Sequence, residues 1–174
     1  MTGLGKVALI AGALTLSACA DQRFGAGAGA GMGADGMAGA EAGAAAGSVS
    51  DPTSEAFFQE AVGDRVFFAV DQSTLSTKAR RMLDEQAEWL MTNSDFAATI
   101  EGHADERGTR EYNIALGDRR ANAVRDYLVS RGVAPNRITT VSYGKERPVA
   151  LCSDESCYSQ NRRAVTVLAL GAGV

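Results

Sequence analysis

Two short segments of this chain hold the residue types that could do chemistry. The first is Gly102-His103-Ala104-Asp105-Glu106-Arg107-Gly108, which follows directly on an apolar run. Polar residues at the C-terminal end of a strand are well placed to meet a ligand. The second is Leu116-Gly117-Asp118-Arg119-Arg120-Ala121-Asn122-Ala123-Val124, in which Arg120 stands four residues after Leu116 and four before Val124. On a helix that spacing puts its guanidinium on the apolar stripe, where an unpartnered charge is costly, so Arg120 requires an anion from the protein or from a ligand. Asp105 is the internal candidate. A structural Asp105–Arg120 salt bridge and a ligand-binding pair fit the spacing equally well. Arg119 points about 100° away and reads as a solvated charge, as do Asp118 and Glu106.

The inventory limits catalysis. His103 is the one histidine, which excludes His-rich zinc sites. It either borders a pocket or is satisfied by backbone groups at the strand end. A thiol peptidase would need Cys152 or Cys157 reduced and beside His103, and an acid pair such as Glu101 and Glu106 is what a glycosidase would require. No enzyme and no cofactor are expected. With 17 basic and 21 acidic residues and a net charge of −4, the chain has no cationic run to hold a nucleic acid.

The elements that must position these residues start near Thr53. Arg65–Val70 is rich in strand formers and stops at Asp71-Gln72-Ser73. Ser76 caps an amphipathic helix carrying Ala79, Met82, Leu83, Ala87 and Leu90 and ending near Asn93. Phe96–Glu101 alternates as a strand. A second helix, Thr109 to Arg131, presents Tyr112, Leu116, Val124, Tyr127 and Leu128 on one face and stops at Gly132. Ile138–Ser142 and Ala164–Leu170 supply two further strands, with a short helical turn around Glu155–Gln160. Strands separated by helices at this spacing predict an α/β two-layer sandwich.

The N-terminal part is of another kind. Lys6, the apolar run Val7–Leu16 and the small residues Ser17 and Ala18 read as a secretory signal over residues 1–18, too short to span a bilayer. Nine glycines fall between Gly25 and Gly47, so residues 19–52 are expected to be a flexible Gly/Ala linker with a root-mean-square span of about 30 Å. Gly25–Ala30 has the letters of a dinucleotide fingerprint but no strand before it, and a nucleotide site is rejected.

Leu16-Ser17-Ala18-Cys19 resembles the lipobox of bacterial lipoproteins, which implies lipidation at Cys19. The acyl chains would make a durable anchor. By the same analogy, Ala20 in place of aspartate favours the outer membrane. With Cys19 lipidated, Cys152 and Cys157 remain as a pair, expected to form a disulfide in an oxidising periplasm. Two free thiols, or half of a metal site, are the alternatives.

The ordered runs Glu101–Thr109, Tyr112–Val124, Val141–Glu146 and Asn161–Val165 resemble the OmpA-like peptidoglycan-binding family, and within it the peptidoglycan-associated lipoproteins. The likeness spans most of the domain, residues 53–174. It implies an α+β two-layer sandwich with a mixed four-stranded sheet, two main helices and a short third. It also implies non-covalent binding of the diaminopimelate of the peptidoglycan stem peptide. The family's aspartate falls on Asp105, its arginine on Arg120, and a further arginine on Arg162 or Arg163; Asp71 and Asn113 are weaker candidates. Diaminopimelate ends in an ammonium and a carboxylate, which Asp105 and Arg120 could answer together. The implied role is a tether between outer membrane and cell wall within the Tol system, with TolB and TolA as partners. The chain departs from the family in Cys152, Cys157 and the long linker, which leaves the loop Leu151–Tyr158 open.

Overall fold

The computed structural model describes residues 47–171. The signal segment, Cys19 and the Gly/Ala stretch up to residue 46 lie outside the described residues. The described chain enters through a turn at Ser48–Ser54 that is already tied to the domain: Trp89 Nε1 donates to the Pro52 carbonyl at 2.8 Å, inside the stretch expected to be linker.

Ser54 caps the first helix, α1 (Glu55–Phe57), with its hydroxyl accepting from Phe57 N, and the chain continues as a π-helical turn over Phe58–Gly63. The sequence reading did not place this segment. It anchors through Phe58, fully buried, whose ring centroid lies 4.9 Å from that of Trp89. Strand β1 (Arg65–Phe67) follows, then α2 (Thr77–Thr92), β2 (Phe96–His103), α3 (Arg110–Ser130), a 3-10 turn (Pro135–Arg137), β3 (Ile138–Gly144), α4 (Glu155–Asn161) and β4 (Arg163–Leu170). Ser76 and Thr109 cap α2 and α3 through side-chain oxygens that accept from Ala79 N and Tyr112 N, as local chemistry requires.

The sheet order is β1-β4-β2-β3, with β2 and β3 parallel and the other neighbours antiparallel, so the fold is the mixed-sheet α+β sandwich expected. Strand β1 is shorter than its composition suggests. Beyond Phe67 the chain turns out of the ladder. Phe68 N still donates to Arg162 O at 2.9 Å, but the Ala69 carbonyl accepts from Gln72 N and from a side chain, and Asp71 takes a positive φ of 57°. The core lies between the sheet and α2 and α3, built from Leu83, Leu90, Ile100, Val124, Leu128 and their neighbours, each almost wholly buried.

One contact fixes how α3 sits over the sheet. A Cβ placed on Gly102 would lie 1.9 Å from the Gly117 carbonyl oxygen, and one on Gly117 would lie 2.4 Å from Ser142 Oγ. Helix and strand therefore meet backbone to backbone. This draws the N-terminal half of α3 down against the end of β2, where the two chemical segments of the sequence converge.

Candidate functional site

At the C-terminal end of β2 a cleft of about 260 Å³ is lined by Val70, Asp71, Asp105, Arg107, Gly108, Tyr112, Asn113 and Leu116. Its lower wall is the β2–α3 loop. Asn113 Nδ2 holds that loop by donating to the Arg107 carbonyl at 2.7 Å, and Lys145 Nζ donates to the Gly108 carbonyl at 2.7 Å. The upper wall is the loop after β1, linked to α3 through the Tyr112 hydroxyl, which donates to the Asp71 carboxylate.

Asp105 is 8% exposed and is the acid at the centre of the cleft. Its Oδ1 accepts from Arg107 N at 3.3 Å, while Oδ2 accepts from Arg107 Nη2 at 2.7 Å and Arg162 Nη1 at 3.3 Å. Burial alone would raise its pKa, but the hydrogen bonds from Arg107 and Arg162 outweigh burial and hold the carboxyl below its ordinary value.

Arg120 is fully buried, as its place between Leu116 and Val124 demands, but its partner is not a carboxylate. Of the two readings that fitted the spacing, the direct salt bridge to Asp105 is not formed, and the guanidinium instead donates to three backbone carbonyls: Gln72 O at 2.8 Å from Nε, His103 O at 2.8 Å from Nη1 and Ala69 O at 3.2 Å from Nη2. The physical reason is position. The turn after β1 and the end of β2 aim carbonyl dipoles at the guanidinium from both sides, and three such acceptors satisfy a buried cation without a formal countercharge. Burial lowers its pKa to about 10, against the opposing pull of the Asp105 charge, so it remains cationic at neutral pH. Three of its five N–H groups are engaged, leaving two.

The two candidates Arg162 and Arg163 point in different directions. Arg162 turns toward Asp105, whereas Arg163 donates to the Arg147 and Asn161 carbonyls. Two smaller expectations are corrected. Glu106 is no free surface acid, because it accepts from Asn161 Nδ2 and is half-buried. His103 is 1% exposed and neither ring nitrogen has a hydrogen-bond partner, so it is not the backbone-satisfied strand-end residue expected. Its ring packs 5.6 Å from that of Tyr143, and it has no part in lining the cleft. Arg119 and Asp118 are exposed.

Two residues that sequence reasoning passed over belong to the site. Arg107 is the exposed guanidinium of the cleft, and its signal was local: Asp105 two residues earlier is spaced to accept from its backbone N–H. Glu155 reaches Arg162 Nη2 and lies 3.8 Å from Arg107 Nη2. No local signal could have found it. Between its neighbours Cys152 and Cys157 the structure has a disulfide with a Cα separation of 5.6 Å, which takes both sulfurs away from any metal.

A family model described as the OmpA family matches residues 67–162. The peptidoglycan-associated lipoprotein of Rhizobium meliloti is 62% identical over 122 residues, covering 70% of this chain and 69% of the relative. That of Brucella melitensis is 59% identical over 122 residues, covering 70% of this chain and 72% of the relative. Among solved structures, the peptidoglycan-associated lipoprotein from Burkholderia pseudomallei superposes with a TM-score of 0.62 at 39% identity, covering 70% of this chain and 98% of that one. The C-terminal domain of Helicobacter pylori MotB superposes at 0.58 with 20% identity, over 63% of this chain and 86% of that one, a likeness of fold.

Proposed function

The chain belongs to the OmpA family, in its peptidoglycan-associated lipoprotein branch, and from that premise we propose that it is an outer-membrane lipoprotein, lipidated at Cys19, that binds the diaminopimelate of peptidoglycan stem peptides without reacting with it. The observation that supports this most is the cleft at Asp105. A nearly buried carboxylate and an exposed guanidinium stand 2.7 Å apart in it, with the cationic Arg120 behind. A zwitterionic ligand matches such a pair in both signs, whereas an ion of either sign alone leaves one charge unanswered.

In this reading the ligand ammonium takes the place of the Arg107 guanidinium on Asp105. The ligand carboxylate meets the two N–H groups of Arg120 that are not donated to carbonyls; Arg120 is fully buried behind the cleft wall, so this contact requires the wall to open on binding. Asp71 and Tyr112 form the opposite lip, Asn113 keeps the β2–α3 loop in place, and Arg162 keeps Asp105 ionised. The Gly/Ala stretch lets the domain reach the wall while Cys19 stays in the membrane. The product is a mechanical link in envelope integrity and cell division, with TolB and TolA as partners in the Tol system.

Co-sedimentation with purified diaminopimelate-type sacculi tests this. The wild-type protein should pellet with the wall, and Asp105→Asn, folded by circular dichroism, should remain in the supernatant. Wild-type protein that stays soluble overturns wall binding, and a pelleting Asp105→Asn variant moves the site elsewhere.

A further inference from the structure

Four charged side chains close a ring at the rim of the cleft. Asp105 Oδ2 accepts from Arg107 and Arg162, Arg162 Nη2 donates to Glu155, and Glu155 Oε2 lies 3.8 Å from Arg107. The ring alternates in sign and is neutral overall. Two of its members, Asp105 and Arg107, sit in the first segment that the sequence singles out, while Arg162 and Glu155 come from the two ends of α4. Glu155 is the first residue of α4, and it lies inside the loop closed by the Cys152–Cys157 disulfide. Its side chain is 61% exposed, so packing does not hold it there. Around it stand the loop closed by the disulfide and the Asp154 cap, whose Oδ1 accepts from Ser156 N at 2.8 Å.

We infer that Glu155 is a positioning residue for the ligand ammonium, and that the Cys152–Cys157 disulfide is the clamp that keeps it at the cleft. The inference rests on the peptidoglycan-binding reading above. Each guanidinium is shared between two carboxylates. Without Glu155, both cations fall to Asp105 alone, the rim gains a net positive charge, and an incoming ammonium meets two cations around one acid. A ligand with carboxylates and no ammonium meets a more favourable rim. Glu155 thus sets which charge pattern the cleft prefers, which differs from a role in holding the fold.

The test uses the full-length protein in detergent micelles, titrated by NMR with meso-diaminopimelate and with pimelate, the same seven-carbon diacid without amino groups. Glu155→Gln is expected to weaken diaminopimelate binding about tenfold and to leave pimelate binding unchanged or stronger, so that the ratio of the two affinities falls. Cys152→Ser with Cys157→Ser should shift the ratio in the same direction. Glu155→Gln added to that pair should cause little further change, because the clamp and the carboxylate act as one unit. An unchanged ratio in Glu155→Gln overturns the role of Glu155, and additive effects overturn the clamp. If the wild type pellets with sacculi while these outcomes fail, only this inference falls. If the wild type does not pellet, the binding function itself is wrong.

Discussion

Arg107 and Arg162 donate to the same oxygen, Oδ2 of Asp105, at 2.7 and 3.3 Å. One cation comes from the loop two residues away and the other from the far end of the domain, so the acid staples the β2–α3 loop to the start of β4. It also explains how a carboxyl that is 8% exposed stays charged. Its pKa is depressed in the fold, so its contribution to stability is complete above the ordinary carboxyl value of 3.8 and is lost as pH falls through the lower folded value.

Arg120 is expected to be a structural hub as well as a ligand contact. Arg120→Ala leaves the buried His103 carbonyl without its guanidinium donor, removes the side-chain donor from the part-buried Ala69 and Gln72 carbonyls and empties a buried volume, and should destabilise the domain by about 3 kcal/mol. Arg120→Lys keeps the charge but cannot reach all three, and should cost about 2 kcal/mol. Urea unfolding of the purified protein measures both, and an Arg120→Ala midpoint equal to wild type would contradict the assignment.

His103 makes stability depend on mildly acid pH. Burial, then the charges of Arg163 and Arg147, push its pKa from 6.5 down to about 4. The unfolded imidazole takes a proton below about 6.5 and the folded one only below about 4. Across that window the unfolded chain binds more protons, so stability is full above it, falls as pH falls through it and levels off beneath it. The loss is up to about 3 kcal/mol. His103→Phe keeps an aromatic ring against Tyr143 and should flatten the dependence, read from unfolding free energies between pH 4 and 7.

Gly102 should not accept a side chain. The Cβ of Gly102→Ala would meet the Gly117 carbonyl at 1.9 Å, and neither partner is a flexible side chain that can retreat. A loss of about 3 kcal/mol is expected from forcing α3 off the strand. A thermal melt of Gly102→Ala within a degree of wild type would mean that the helix rides higher than described.

Asp71 and Tyr112 give a spectroscopic handle on the cleft. The hydrogen bond from the phenol to the Asp71 carboxylate holds the Tyr112 pKa above its usual 10. Asp71→Asn removes the charge while keeping a residue that tolerates the positive φ, so ultraviolet titration should show one tyrosine moving to lower pH. If no tyrosine moves, the two lips of the cleft are not in contact.

The elements with local signals could be read from the chain. Ser76 and Thr109 mark the starts of α2 and α3, Gly132 follows the end of α3, and the alternation from Phe96 fixes β2. The segment Glu55–Gly63 escaped because it is short and departs from α-helical periodicity after one turn. The site divides the same way. Asp105 and Arg120 could be read from type and spacing. The partners of Arg120 could not, since they are backbone carbonyls at positions 69, 72 and 103, and a carbonyl has no letter in a sequence. Glu155 was invisible because its nearest charged partner in the cleft loop lies dozens of residues away and the loop carrying it departs from the family pattern.

The position of β4 governs the order in which the molecule can be assembled. Synthesis delivers this strand after the other three, yet it lies inside the sheet, hydrogen-bonded to β1 on one side and β2 on the other. Until residue 170 is free, β1 has no strand to pair with and Asp105 lacks Arg162, so a chain emerging N-terminus first can complete neither sheet nor cleft. Such non-local closure is slow. A chain released N-terminus first therefore completes its fold only once this last strand is free.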